Sequence, residues 1–102
     1  MWSESEKKVA RRAFDGALKK EYAALMNRLK DLAEKAGTPE DIWAIHDFLT
    51  EQRKMIDRKY DYRYSQLVMV FGGLLGEGRI TDKELEGLKE EKLDLIRKIA
   101  SL

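Results

Sequence analysis

The sequence contains no cysteine, one proline and one histidine among its 102 residues. The lack of cysteine excludes disulfide bonds, zinc ribbons and thiol catalysis, and it suits a reducing cytoplasm. The His46-Asp47 pair resembles part of a metal phosphohydrolase site, but such sites need several further histidine and aspartate ligands. Ser65 and Ser101 have no nucleophile signature around them. We therefore expect no enzymatic activity, no metal and no cofactor.

Neither sign of charge is in excess. The chain carries 20 basic and 19 acidic residues, a net charge of +1, which gives no overall field to attract nucleic acid or an anionic membrane. The N-terminus lacks the apolar core of a signal peptide, and the longest nearly unbroken apolar run, residues 67–75, is far below the roughly 20 residues of a membrane helix. The sequence predicts one domain, residues 1–102, in the cytoplasm and without an integral membrane segment.

Capping signals predict where the long helices begin. Ser3 and Glu6 form a capping box ahead of a segment rich in Ala, Leu, Lys and Glu, which predicts a helix over about 4–36. Thr38 is followed by the single proline and two acidic residues, which is typical of a helix N-terminus, and predicts a second helix over about 39–71.

The C-terminal third predicts a smaller helical unit. Thr81 and Glu84 form another capping box, which predicts the start of the last helix. Four glycines within residues 72–78 are expected to weaken or end the second helix, since each costs about 0.5–1 kcal/mol relative to alanine. No segment alternates like a strand. We therefore predict an all-α fold with two long antiparallel helices and a short C-terminal helical head, about residues 67–102.

Two long helices leave apolar surface uncovered. A helix of about 33 residues extends about 50 Å, whereas a compact 100-residue domain has a radius of gyration near 13 Å. An elongated homodimer buries the excess most economically, and a monomeric hairpin with a folded-back C-terminus is the alternative. The apolar stripes of the two helices supply the expected dimer contacts, Leu25, Leu29, Leu32 and Leu49.

The stretch DIWAIHDFL, residues 41–49, holds the only histidine and one of two tryptophans. At about 100° per residue, Trp43, His46, Asp47 and Arg53 share one side of the second helix, roughly 100° from its apolar stripe. We call these four residues the Trp–Arg flank. Tryptophan and arginine are enriched in binding hot spots, which favours a partner-binding surface. Asp47 is able to pair with Arg53 of the same chain or of a dimer mate. The alternative is that they are packing residues at a helix crossing.

The segment RKYDYRYS, residues 58–65, interleaves tyrosines with basic residues, a mixture that can bind nucleic acid. On a continuous helix, however, Tyr60 and Tyr64 face the core while Tyr62 points outward, so packing explains at least two of the three. The same segment contains Asp61, and Asp57 precedes it. We therefore expect no nucleic-acid partner.

Residues 41–71 resemble the fluorescence recovery protein family of cyanobacteria, whose central pattern W-x-x-H-D-F-L is followed by R and then by I-D-x-K-Y-D-x-R. The resemblance extends to both ends of the chain, through Trp2-Ser3 and Glu84-Leu85. It implies a non-enzymatic, all-helical homodimer in the cytoplasm, at the phycobilisome and thylakoid surface. Its target would be the C-terminal domain of photoactivated orange carotenoid protein, whose return from the red to the orange form it would speed, ending phycobilisome quenching.

Carried over by residue, the partner-binding surface of this family falls on the Trp–Arg flank. The resemblance adds Met69 and Phe71 as secondary contacts, with Met69 standing where the family tends to have an aromatic residue. A homologue with the same fold but another protein partner, in a bacterium without phycobilisomes, remains the alternative function.

Overall fold

A computed structural model describes residues 1–102 and consists of four α-helices and no strand, which confirms the all-α prediction. The helices and one turn of 3-10 helix have the following bounds: α1 Glu4–Lys35, α2 Pro39–Lys59, α3 Leu67–Gly76, the 3-10 turn Lys83–Leu85, and α4 Glu90–Ala100. No helix combines the length and the apolar character needed to cross a bilayer.

Reciprocal capping boxes start both long helices. The backbone N–H of Ser3 donates to Glu6 Oε1 at 3.0 Å, and the N–H of Glu6 donates to Ser3 Oγ at 3.2 Å. At the second helix, Thr38 N–H donates to Asp41 Oδ2 at 3.2 Å, and Asp41 N–H donates to Thr38 Oγ1 at 3.3 Å. Each box satisfies backbone donors that the first helical turn would leave free.

The predicted extent of the second helix, 39–71, is wrong, because α2 ends at Lys59 and residues 60–66 cross the N-terminal half of α1 without helical structure. Two aromatic contacts hold this crossing: the rings of Tyr60 and Tyr62 meet Phe14 edge-on, at centroid distances of 5.4 and 4.9 Å. Tyr62 is therefore partly buried and Tyr64 is exposed, the reverse of the outward and inward directions predicted for a continuous helix. A tertiary contact has overridden local helix preference.

The predicted start of the last helix at Thr81 is also wrong, although its capping box forms. Thr81 N–H donates to Glu84 Oε1 at 3.0 Å, and Glu84 N–H donates back to Thr81 Oγ1 at 3.3 Å. Only the 3-10 turn follows, because the chain turns at Gly87, whose φ of 108° is open to glycine alone at little cost. The last helix, α4, begins afterwards at Glu90.

The core lies where the head, residues 67–102, packs on the N-terminal half of α1. Small residues of α1, Ala10, Ala13 and Ala17, are buried there and let the head approach closely. Their partners are large aliphatic and aromatic side chains: Phe14, Leu67, Phe71, Leu74, Ile80, Leu85, Leu88, Leu93 and Ile96. Leu102, at the end of the chain, is fully exposed and takes no part in this core.

Close packing of α3 on α4 depends on Gly72. A Cβ at Gly72 would lie 2.3 Å from Ile99 Cγ2, whereas a Cβ at the next residue, Gly73, would meet nothing within 4 Å. Both glycines lie inside α3, which continues through them and ends at Gly76, within the glycine-rich stretch 72–78 where the sequence predicted a weakening or end of the helix. The absence of a side chain at Gly72 allows the two helices to touch.

Gly72 and Gly73 form a matched pair for a stability test. Gly72→Ala is expected to destabilise the protein by about 1–3 kcal/mol, because the methyl group overlaps Ile99. Gly73→Ala is expected to stabilise it by about 0.5–1 kcal/mol, because alanine restricts the unfolded chain and has open space here. Urea unfolding followed by circular dichroism measures both changes, and equal effects of the same sign would contradict this packing.

An ion-pair network fastens the end of α2 to α1 and to the head. The buried carboxylate of Glu21 accepts from Lys59 Nζ at 2.7 Å, from the Tyr60 hydroxyl at 3.1 Å and from Arg79 at 3.2 Å. Burial alone would raise the pKa of Glu21, but the hydrogen bond and charge of Lys59 outweigh it and lower that pKa. Burial and the neighbouring Glu21 carboxylate raise the pKa of Tyr60. The network keeps α2 in register with the core.

Beyond this network, residues 22–59, here called the hairpin, bury little. Ile56 is the single buried residue of α2, and Tyr22 and Met26 are exposed on α1. The molecule measures 53 × 22 × 19 Å and its radius of gyration is 16.5 Å, above the roughly 13 Å of a compact domain of this length. The leucines predicted as dimer contacts, Leu25, Leu29, Leu32 and Leu49, are all half-buried within the subunit.

Candidate functional site

The turn between α1 and α2 sets the direction of the Trp–Arg flank. Asp41 Oδ2 accepts from the N–H groups of Gly37 and Thr38, at 2.9 and 3.2 Å. The hydrogen bond from Gly37 and, to a smaller extent, those from Thr38 lower the pKa of Asp41. The carboxylate therefore stays ionised and keeps capping the helix. A fixed helix start determines which residues of the first turns face α1 and which face solvent.

Three members of the Trp–Arg flank lie in contact. The rings of Trp43 and His46 are 6.2 Å apart between centroids in a T-shaped arrangement, and His46 Nδ1 lies 3.5 Å from Asp47 Oδ1. Thr50 donates its hydroxyl to the carbonyl oxygen of His46 at 3.0 Å. The Trp43 residue is 65% exposed, and the side chains of His46 and Asp47 are 68% and 81% exposed. None of the three is sealed in a core.

Arg53 lies on the same side of α2, two turns beyond His46, at about 10 Å along the helix axis. It is exposed and makes no ion pair within the chain. Within one chain the expected pairing of Asp47 with Arg53 is wrong, because the two residues are six positions apart, about 120° around the helix, and Asp47 contacts His46 instead. Arg53 therefore presents a free guanidinium. Pairing of Asp47 with Arg53 of a dimer mate stays a prediction.

The Trp–Arg flank offers four different interactions along about 15 Å of helix. Trp43 supplies apolar area and a π face, His46 a ring nitrogen, Asp47 a carboxylate and Arg53 a planar cation with five donors. Such a mixture suits recognition of a protein surface, in which an aromatic residue and an arginine act as anchors. No group of three or more histidine, cysteine, aspartate or glutamate side chains converges to hold a metal ion.

Ile42 also belongs to this surface. It is 59% exposed and directly precedes Trp43 in α2. Its position in the first turn of α2 was the signal in the sequence that could have predicted its exposure. Arg28 lies 4.9 Å from the ring centroid of Phe48, and both residues line an apolar cleft of about 240 Å³.

The two secondary contact residues have different positions. Met69 is 60% exposed on α3 and is available to a partner. Phe71 is fully buried in the core, so its prediction as a partner contact is wrong: residues two apart on a helix point in directions about 160° apart, and the Phe71 side faces α1.

Comparison with known proteins gives consistent matches over the whole chain. Residues 2–101 match the family described as photoprotection regulator fluorescence recovery protein. Fluorescence recovery protein of Synechocystis sp. PCC 6803 is 36% identical over 101 residues, which cover 99% of this chain and 93% of that protein. The solved structure from Fremyella diplosiphon is 41% identical with a TM-score of 0.95, and a solved structure from Synechocystis is 35% identical with a TM-score of 0.94. Both structures are covered completely, as is this chain.

Proposed function

Because the chain belongs to the fluorescence recovery protein family of photoprotection regulators, we propose that it acts without catalysis on the orange carotenoid protein. It binds the C-terminal domain of the photoactivated, red form through the Trp–Arg flank and speeds the return to the orange form. Fluorescence quenching at the phycobilisome then ends. Met69, exposed on α3, is a secondary contact in this proposal.

The exposure of the Trp–Arg flank is the observation that supports this proposal most directly. Trp43 and Arg53 are the residue types that dominate binding energy, and neither is used to hold the subunit together. The mechanism needs only differential affinity. A regulator that binds the transitional or compact arrangement of its target better than the separated arrangement shifts the equilibrium and lowers the barrier between them.

The test is a dark-reversion assay. Purified protein is added to photoactivated orange carotenoid protein, and the loss of the red form is followed by absorbance. Faster decay that saturates with protein concentration is expected. Unchanged decay at a large excess would reject this target and favour the alternative, a homologous adaptor with another protein partner.

The proposed assembly is a homodimer joined through the hairpin. Tyr22, Met26 and Leu29 follow one another at helical spacing on α1, and the first two are exposed in the subunit. Stable interfaces bury about 800 Å² on each side, and the exposed apolar side chains of the hairpin offer a continuous surface for this purpose. The half-buried leucines Leu25, Leu29, Leu32 and Leu49 border that surface in the proposal.

A negative charge introduced into this apolar stripe is expected to split the dimer. Leu29→Glu places a carboxylate in the proposed interface, where an unpaired charge is costly, and light scattering should then give the mass of one subunit. Met26→Glu is the matched variant, because Met26 is exposed in the subunit and its replacement leaves the hairpin intact. A dimer mass retained by both variants would contradict this interface.

A further inference from the structure

A concentrated positive charge lies at the start of α1, at the opposite end of the molecule from the Trp–Arg flank. Lys7, Lys8, Arg11 and Arg12 follow one another without an acidic residue between them, in a chain whose net charge is only +1. Lys8 and Arg12 are exposed and make no ion pair. Lys7 and Arg11 make only long contacts of 3.5 Å, to Glu4 and Asp15, in exposed positions.

Aromatic rings from the 60–66 crossing stand beside these cations. Tyr62 and Tyr64 are 5.7 Å apart between centroids, and Trp2 lies 5.9 Å from Tyr64, with its indole N–H donating to the Tyr64 carbonyl oxygen at 3.1 Å. A groove forms between the helix and the crossing, which we call the basic–aromatic groove. It is lined by four cations, two tyrosines and one carboxylate: Lys7, Lys8, Arg11, Arg12, Tyr62, Tyr64 and Glu4.

The tyrosine rings serve to position cations. The guanidinium carbon of Arg11 lies 3.6 Å from the ring centroid of Tyr62, and Lys7 Nζ lies 5.1 Å from that of Tyr64. Arg11 thus occupies one face of Tyr62, and Phe14 contacts the same ring in a T-shaped arrangement, which limits stacking of Tyr62 on nucleic-acid bases. A guanidinium stacked in this way keeps its N–H edge free for bidentate bonds to a carboxylate.

We propose that the basic–aromatic groove binds an acidic segment of a protein partner, with carboxylates on the four cations and an apolar side chain against Trp2 and Tyr64. Charge complementarity supports this assignment. Lys8 and Arg12 have no ion-pair partner in the chain, and the rings of Tyr62 and Tyr64 position Arg11 and Lys7. This surface is distinct from the one proposed for the carotenoid protein: along the helix axes Arg12 is roughly 30 Å from Trp43 and roughly 15 Å from Arg53, in a molecule 53 Å long.

The probe is a short fluorescein-labelled peptide that alternates pairs of glutamates with leucine or phenylalanine, titrated by fluorescence anisotropy at low ionic strength. Saturable binding is expected, weakening as salt rises toward about 0.15 M, where charges are screened beyond about 8 Å. Lys8→Glu combined with Arg12→Glu should lower the affinity at least about tenfold, because two attractions become repulsions. Circular dichroism should be unchanged, since neither side chain is packed.

Lys30→Glu combined with Lys98→Glu is the matched control. These two lysines are exposed and unpaired elsewhere on the surface, so the same change in net charge should leave peptide affinity within about twofold. Equal losses in both double variants would overturn the proposal, because the attraction would then be unspecific. A single-stranded oligonucleotide provides a second comparison. If it binds more tightly than the peptide, and the Lys8→Glu/Arg12→Glu variant loses this binding, the proposal is overturned in favour of nucleic acid.

Discussion

Replacing Arg53 by leucine is expected to slow the dark reversion of the carotenoid protein at sub-saturating concentration by about 30-fold relative to the unmodified regulator. A hot-spot side chain contributes about 2 kcal/mol or more, and 1.4 kcal/mol corresponds to a factor of ten. Arg53 makes no ion pair in its own subunit, so the loss falls on the complex. The measurement is the decay rate of the red form against regulator concentration, with affinity checked by size-exclusion chromatography.

Arg58→Leu is the matched control for this substitution. Arg58 is exposed on the same helix, about 140° away around its axis, so the change in composition is identical and the flank is untouched. Leucine and arginine have nearly equal helix propensities, so both variants should keep their helicity. Trp43→Ala should reproduce the effect of Arg53→Leu, since Trp43 is exposed beside His46. If Arg53→Leu or Trp43→Ala unfolds the protein, the flank is a packing surface and the proposal fails.

Local signals predicted the starts of the two long helices, because capping is decided within four residues. The boxes at Ser3 and Thr38 form as expected, with Glu6 and Asp41 completing them. The end of α2 depends on contacts between residues far apart in sequence: Tyr60 meets Phe14 and Glu21, which the periodicity of one helix does not reveal. A continuous apolar pattern through residues 56–71 therefore predicted one helix where the chain makes two.

The exposure of the candidate site residues could be predicted from the sequence better than the contacts of the core could. The direction of a side chain on a helix follows from its position, and the angular argument that separated Trp43 from the apolar stripe needed no tertiary information. Exposure of the flank agrees with it. The failed pairing of Asp47 with Arg53 shows the limit, because the choice of partner depends on rotamers and nearer neighbours. The basic–aromatic groove joins the start of α1 to Tyr62 and Tyr64. These segments are far apart in sequence, so no local pattern predicts the groove.

Two charged residues lie in the interior, which no local sequence pattern predicts. Glu6 is 1% exposed and Lys92 is 7% exposed, although both residue types are usually found at the surface. Lys92 Nζ lies 3.1 Å from Glu6 Oε2 and donates to the carbonyl oxygen of Met1 at 2.6 Å. Glu6 Oε2 also accepts from the backbone N–H of Lys89 at 3.0 Å. One carboxylate thus caps α1 and, 83 residues later, fixes the start of α4, a link that no local pattern contains.

Glu6→Gln is therefore expected to destabilise the protein by about 3–5 kcal/mol, because it leaves the Lys92 ammonium buried without a counter-charge. The melting temperature should fall by more than about 10 °C, measured by calorimetry or circular dichroism. Glu4→Gln, at an exposed position two residues away, should cost less than about 1 kcal/mol. Glu6→Gln combined with Lys92→Met should recover much of the loss, since removing both charges of a buried pair is close to neutral.

The same pair sets a pH dependence with a defined sign. Burial alone would raise the pKa of Glu6, but the hydrogen bonds from Lys89, Ser3 and Lys92 outweigh it and lower that pKa from 4.5 to about 2. The unfolded chain therefore binds the proton more readily, so the contribution of Glu6 is complete above its unfolded pKa and is lost as pH falls toward about 2. The stability difference between the unmodified protein and Glu6→Gln should shrink over that interval. A difference that stays constant from neutral pH to about pH 2 would show that the ionised carboxylate is not what holds α1 to α4.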